Sequence, residues 1–311
     1  MSLLAPEKIE IVEVGPRDGL QSEPHLLPTE TKLEFIRRLV AAGLPRIEVA
    51  SFVNPKRVPQ MADAEDIFSA LNDSSPAARY IGLVLSRRGF ERARDVRCGE
   101  VGMVIAATET FSERNQGCTV DEAVASWLEI SAAARAAGIR AQVTISMAFG
   151  CPFEGEVPME NVLALARRLA EGQPDELGVA DTIGAAAPTH VMAVFSALRD
   201  ALPGLKLRAH FHNTRNTGIA NAYAAVQAGV RILDASCGGI GGCPFAPAAT
   251  GNIPTEDLIF MLHRMGFETG VDLPALIETG RWLETQLEHA VPGMMVKAGM
   301  FPTARPQEST R

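Results

Sequence analysis

The chain has 311 residues, 47% of them hydrophobic and 21% charged, proportions ordinary for a globular protein long enough for one large α/β barrel or two smaller domains. Its formal charge of −8 argues against a general nucleic-acid binder, which needs a basic surface, yet a local Arg/Lys pocket can still take an anionic ligand. Five scattered cysteines with no C-x-x-C pair weigh against a disulfide framework, a zinc ribbon and a dithiol redox motif, and point to reduced thiols.

The N-terminal "MSLLAPEKIE" lacks the basic region and apolar core of a signal peptide, and no apolar run is long enough to span a membrane, so a cytoplasmic protein is expected. From residue 9 onward, short β-branched runs alternate with Ala/Leu/Arg/Glu-rich helical patterns. In chain order the spacing predicts a strand over 9–15 (IEIVEVG), a helix over 29–42, and strands over 46–52 (RIEVASF), 80–86 (YIGLVLS) and 101–108 (VGMVIAAT). A helix over 120–137, a strand over 141–149 (AQVTISMAF), a helix over 161–170, a strand over 176–181 (ELGVAD) and a helix over 189–201 follow. Strands over 205–213 (LKLRAHFHN) and 231–237 (RILDASC) complete the series.

Several helices end in Ala-Gly or Cys-Gly just before a strand: "AAGLPRIEVA", "RCGEVGMVIA", "AAGIRAQVTI" and "QAGVRILDAS". Glycine there suits the left-handed residue that ends a helix and turns the chain into the next strand. Eight strands alternating with helices predict a (β/α)8 TIM barrel over 1–270, with a C-terminal helical extension over 271–300 and a loose tail over 301–311; a doubly wound open sheet is the alternative. The apolar residues of 273–287 suit helices that cap the barrel or meet another subunit, and a homo-oligomer is expected.

In a barrel, chemistry belongs at the C-terminal ends of the strands, and unusual polar groups fall there. His210 and His212 are two apart on a strand, so both face one side and read as metal ligands or as a hydrogen-bonded pair at a strand end. Strands one, seven and eight are neighbours in a closed barrel, which lets Asp18 and Asn252 reach the same point. One carboxylate, two imidazoles and an amide oxygen favour Mg²⁺ or Mn²⁺ over a thiolate-type zinc site and leave positions open for substrate oxygens.

Arg17 beside Asp18 could stabilise an enolate, or be a turn arginine. Glu48, ionised within the apolar "IEVAS", needs a partner, and Arg17 is the natural one, catalytically or as a structural ion pair. Asp181 in "VADTIG" reads either as a support to the site or as a cap in the following loop. Cys243, in a glycine-rich loop, could exchange a proton with substrate or be inert. The second "CPF", at Cys151, reads as loop structure. The run "CGGIGGCPFAPAATGN" (237–252) lacks both the Gly-Lys-Ser/Thr end of a P-loop and a G-x-G-x-x-G before a helix, and reads as a lid that carries Cys243 and is anchored by Asn252.

Together, "VGPRDGLQSE", "IEVASFVNPKRVPQMAD", "FGCPFEGEV", "ADTIG", "HFHN" and "GGIGGCPFAPAATGNIPTEDL" resemble the 3-hydroxy-3-methylglutaryl-CoA lyase family of metal-dependent TIM-barrel lyases, from about residue 9 to 287. The resemblance implies retro-Claisen cleavage of a 3-hydroxyacyl-CoA, ideally to acetyl-CoA and acetoacetate. It implies metal ligands at Asp18, His210, His212 and Asn252, enolate stabilisation by Arg17, proton transfer at His210 and Cys243, and acidic active-centre residues at Glu48 and Asp181. Two positions depart from the family pattern: Asn213 after His212, nearer to the Claisen-condensing synthases, and Thr144 where an aromatic residue is expected. Both are expected to face the substrate pocket, so a different acyl group is the alternative, and a condensing synthase a more distant one.

Overall fold

The computed structural model describes residues 7–72, 78–242 and 251–301. Eight parallel strands, β1 Glu10–Glu13, β2 Arg46–Ser51, β3 Arg79–Leu83, β4 Glu100–Ala106, β5 Arg140–Ser146, β6 Leu177–Asp181, β7 Leu207–Phe211 and β8 Ile232–Ala235, form a closed barrel in sequence order. Closure is made by β1 against β8, with Glu10 to Glu13 in register with Ile232 to Ala235. The helices are α1 Thr29–Ala41, α2 Ala64–Asn72, α3 Arg87–Asp95, α4 Glu109–Gln116, α5 Val120–Ala136, α6 Met159–Ala170, α7 Pro188–Ala201, α8 Gly218–Gln227 and α9 Thr255–Arg264. Two more, α10 Leu273–Leu287 and α11 Met294–Ala298, follow the last barrel unit. This is the expected TIM barrel with C-terminal helices; the open sheet is excluded by closure.

The strands are buried on both faces, as parallel strands covered by helices must be, which is why they read as near-continuous apolar runs rather than alternations. Helices seal the barrel through one apolar stripe each: α1 buries Leu33, Phe35, Ile36 and Leu39, and α5 buries Val124, Trp127 and Ile130. Helix α10 packs on α1, with Trp282 6.2 Å from Phe35 between ring centres, so the apolar residues of 273–287 cap the barrel rather than lying bare.

Gly43, Gly138 and Gly229 hold the left-handed conformation expected of helix-ending glycines, with φ of 89°, 69° and 94°. The fourth repeat differs: in "RCGEVGMVIA" the left-handed residue is Arg97, φ 58°, not Gly99. Here the turn closes two residues earlier, because Cys98 N–H already returns to the Ala93 carbonyl. Strand ends are shorter than read from sequence: β7 stops at Phe211, where His212 leaves the sheet to bridge Asn252. No helix among the described residues is long and apolar enough to cross a membrane.

Candidate active site at the C-terminal mouth of the barrel

After β1 the chain makes one wide turn, Gly15–Gly19, in which the Gly19 N–H reaches back five residues to the Val14 carbonyl. Such π-type turns displace side chains from the ordinary helical track and recur at functional sites. This one turns Arg17 and Asp18 toward the barrel axis. Glu48 comes up from the middle of β2, at an irregularity in its pairing with β3. Arg17 meets it as a fork, Nε to Oε1 at 2.8 Å and Nη2 to Oε2 at 3.0 Å, and gives Nη1 to Asp18 Oδ1 at 2.7 Å. The expected Arg17–Glu48 pair is therefore present, bidentate and buried. Three of the five guanidinium N–H groups are used, which leaves two for an incoming oxygen.

Asp18, His210 and His212 converge, with one ligand-type atom from each within 4.8 Å of the others. The imidazoles lie with ring centres 5.2 Å apart, as residues two apart on a strand allow. Asn252 joins them across the barrel seam: its Nδ2 donates to Asp18 Oδ2 at 2.8 Å and to the Ile240 carbonyl at 3.1 Å. Its Oδ1 is buried without a protein partner, and so is His212 Nδ1. Buried acceptors without donors are costly in a finished interior. A carboxylate and two imidazoles at one point, with the Asn252 amide hydrogen-bonded to that carboxylate, fit a divalent cation held through O and N donors.

The charge balance fits as well. Burial alone would raise the Asp18 pKa, but the Arg17 guanidinium and the two imidazoles outweigh it and hold the carboxyl well below the usual range. Burial, with His210 beside it, pushes His212 down to about 3, so its ring is neutral and keeps a lone pair. Burial also opposes charge on His210, yet the hydrogen bond and charge of Asp234 prevail and raise it.

The cluster opens into a cavity of about 1240 Å³ bounded by Arg17, Asp18, Glu48, His210, His212 and, on β5, Gln142, Thr144 and Ser146. Toward solvent its wall carries Lys56 and Arg57 from the loop after β2, Arg88 from the first turn of α3 and Arg114 from α4. These basic residues have no signal in the sequence, because three separate segments place them on one wall only in the fold. Arg208 and Asp234, also on the wall, had the same signal as Glu48, a charged residue inside an apolar strand, and Arg208 shares the His210–His212 face by period two.

Asp181 takes the second of its two readings, and Asn213 departs from expectation. Asp181 is no wall residue: its two oxygens accept from the backbone N–H groups of Ala185 and Ala186, at 2.7 and 3.0 Å, so it ties down the loop after β6. Asn213 does not face the pocket; its Oδ1 accepts from the Gly218 N–H at 3.1 Å at the start of α8. Thr144 does face it, accepting from Arg208 Nη2 at 2.8 Å. Cys243, the expected lid thiol, lies outside the described residues. Cys151 is loop structure, as read: it is buried, pairs backbone to backbone with Gly155, and takes the Thr108 hydroxyl.

A (β/α)8 barrel with O/N donors and a clamped arginine at its C-terminal mouth is the form of a barrel lyase, and comparison with known proteins agrees. The model of the HMGL-like family matches residues 8–283, and the chain belongs to this family. It is 43% identical over 302 residues to an (R)-citramalyl-CoA lyase of Chloroflexus aurantiacus, covering 94% of this chain and 95% of the relative. To a hydroxymethylglutaryl-CoA lyase of Pseudomonas mevalonii it is 41% identical over 281 residues, covering 90% and 93%. Among solved structures, an HMG-CoA lyase from Acinetobacter baumannii in complex with coenzyme A and 3-methylmalate superposes with a TM-score of 0.91 at 37% identity, covering 96% and 97%.

Proposed function

We propose that this chain is a carbon–carbon lyase dependent on Mg²⁺ or Mn²⁺, which cleaves 3-hydroxy-3-methylglutaryl-CoA to acetyl-CoA and acetoacetate. The observation that carries the reading is the open cluster of Asp18, His210 and His212, with Asn252 hydrogen-bonded to Asp18, beside the two unused N–H groups of Arg17. An ion held there would polarise the substrate's C3 hydroxyl and free carboxylate.

The remaining roles belong to the protein. The C3 hydroxyl loses its proton, the C2–C3 bond breaks as the C3 carbonyl forms, and the electron pair moves into the thioester as an enolate. Arg17, immobilised by Glu48, offers its free N–H groups to that enolate oxygen without reorganising. His210, and Cys243 from the glycine loop, carry the protons, and C2 is protonated to give acetyl-CoA. The basic outer wall of Lys56, Arg57, Arg88 and Arg114 suits the phosphates of the CoA moiety.

A second reading, the same cleavage of citramalyl-CoA to acetyl-CoA and pyruvate, is favoured by one observation: the β5 wall carries the polar Thr144, tied to Arg208, in place of an aromatic ring. Purified enzyme with Mg²⁺ or Mn²⁺, given the two thioesters side by side, is expected to release acetyl-CoA from hydroxymethylglutaryl-CoA faster, and EDTA to abolish the release. Faster release from citramalyl-CoA selects the second reading, and release from neither overturns the substrate class.

A further inference from the structure

From His210 toward the base of the barrel runs a chain of side chains, Asp234 and Arg208 first, to which the proposed reaction gives no role. His210 Nδ1 lies 3.1 Å from Asp234 Oδ2, and the other carboxylate oxygen faces Arg208 Nε at 3.5 Å. Arg208 is fixed in turn: Nη2 donates to Thr144 Oγ1 at 2.8 Å, and Nη1 lies 3.4 Å from Glu176 Oε1. Asp234 and Arg208 are 4% and 5% exposed, so neither is a surface charge that water would serve equally well.

We propose that Asp234 is a positioning residue for His210, holding the imidazole as its Nδ1–H tautomer, and that Arg208 holds Asp234 in that orientation. An ionised carboxylate only accepts, so the ring nitrogen it touches must carry the proton. Nε2 is then left with a lone pair for the cluster of Asp18 and His212. Without such a partner a neutral imidazole takes either tautomer, and an Nε2–H form offers the cluster a proton in place of a ligand. The inference rests on the reading of this cluster as a metal site.

Arg208 makes the consequence sharp. It is a donor only, so in Asp234→Asn the amide oxygen turns to the guanidinium and the NH2 to His210. Nδ1 must then accept, and the ring proton moves to Nε2. Long-range ¹H–¹⁵N spectra of ¹⁵N-histidine-labelled, metal-free protein at alkaline pH, with His210 assigned by its loss in His210→Gln, report the tautomer directly. The expected result is Nδ1–H in the native chain, Nε2–H in Asp234→Asn, and Mn²⁺ affinity about 10–100-fold weaker in that variant. An Nε2–H form of His210 in the native protein, which needs no variant to fold, overturns the proposal, as does Asp234→Asn with native tautomer and native Mn²⁺ affinity. Neither measurement uses an acyl-CoA, so failure of the lyase assays and failure of this inference are told apart.

Discussion

At the N-terminal end of the barrel, Arg46 lies between Glu10, Glu100 and Glu176; at the other end, Arg17 lies between Glu48 and Asp18. Both are buried arginines held by carboxylates, but their surroundings differ. At the base the surplus negative charge is answered from outside, with Arg79 and Arg140 3.6 and 3.5 Å from Glu100 and Arg208 3.4 Å from Glu176. No cavity is needed to complete it. At the mouth, two guanidinium N–H groups of Arg17 are left over beside Asp18, His210 and His212, on the wall of 1240 Å³ of open volume. The same pairing closes a layer of structure where guanidinium and carboxylate groups pack against one another and makes a site where a cavity adjoins them, and a barrel separates the two by its length.

Breaking one end should therefore cost stability and breaking the other turnover. The largest effect is expected from Arg46→Met, which leaves three carboxylates short of their shared cation. Chemical denaturation should show a loss of about 3–5 kcal/mol, with kcat of the folded fraction unchanged. Arg17→Gln should do the reverse, lowering kcat on the order of 10²–10³-fold; near-native turnover would remove the arginine from the reaction. His212→Ala should weaken Mn²⁺ binding, measured by EPR titration, by at least the roughly 10–100-fold that loss of a ligand's own supporting partner costs. Unchanged affinity would strike it from the cluster.

A smaller effect tests the floor beneath the glycine loop. Glu256 is buried and accepts from the Gly238 N–H, and burial pushes its pKa up to about 8. The folded state thus holds a proton that the unfolded chain releases near its ordinary value of 4.5, so native stability falls as pH rises from about 4.5 to 8. Glu256→Gln, permanently neutral, should flatten that decline in urea midpoints compared between pH 5 and 8; an identical slope would locate the titration elsewhere.

Much of the barrel was legible because a βα repeat writes itself twice, in apolar runs and in glycines that end helices. The site was legible where one element supplies neighbours, as in His210-x-His212, or where closure puts β1, β7 and β8 side by side, as for Asp18 and Asn252. The pairing of Glu48 with Arg17 followed from the cost of an unpartnered carboxylate. Asp181 was left between two readings, and Asn213 was misplaced, for the opposite reason. A short polar side chain at a strand end serves a loop amide as readily as a ligand, and sequence alone does not show which way it turns. The Asp234–Arg208–Thr144 chain crosses three strands, and its partners are 26 and 64 residues apart.

The two ends of the glycine loop meet almost without clearance: a Cβ at Gly251 would stand 1.8 Å from the Gly241 carbonyl oxygen, and one at Gly241 would stand 2.8 Å from Asn252 Nδ2. The chain enters and leaves at a single gatepost. Asn213 N–H grips the Gly251 carbonyl and Asn252 grips Asp18 on the barrel side of that post, so the chain after the loop and the donor cluster share one anchor.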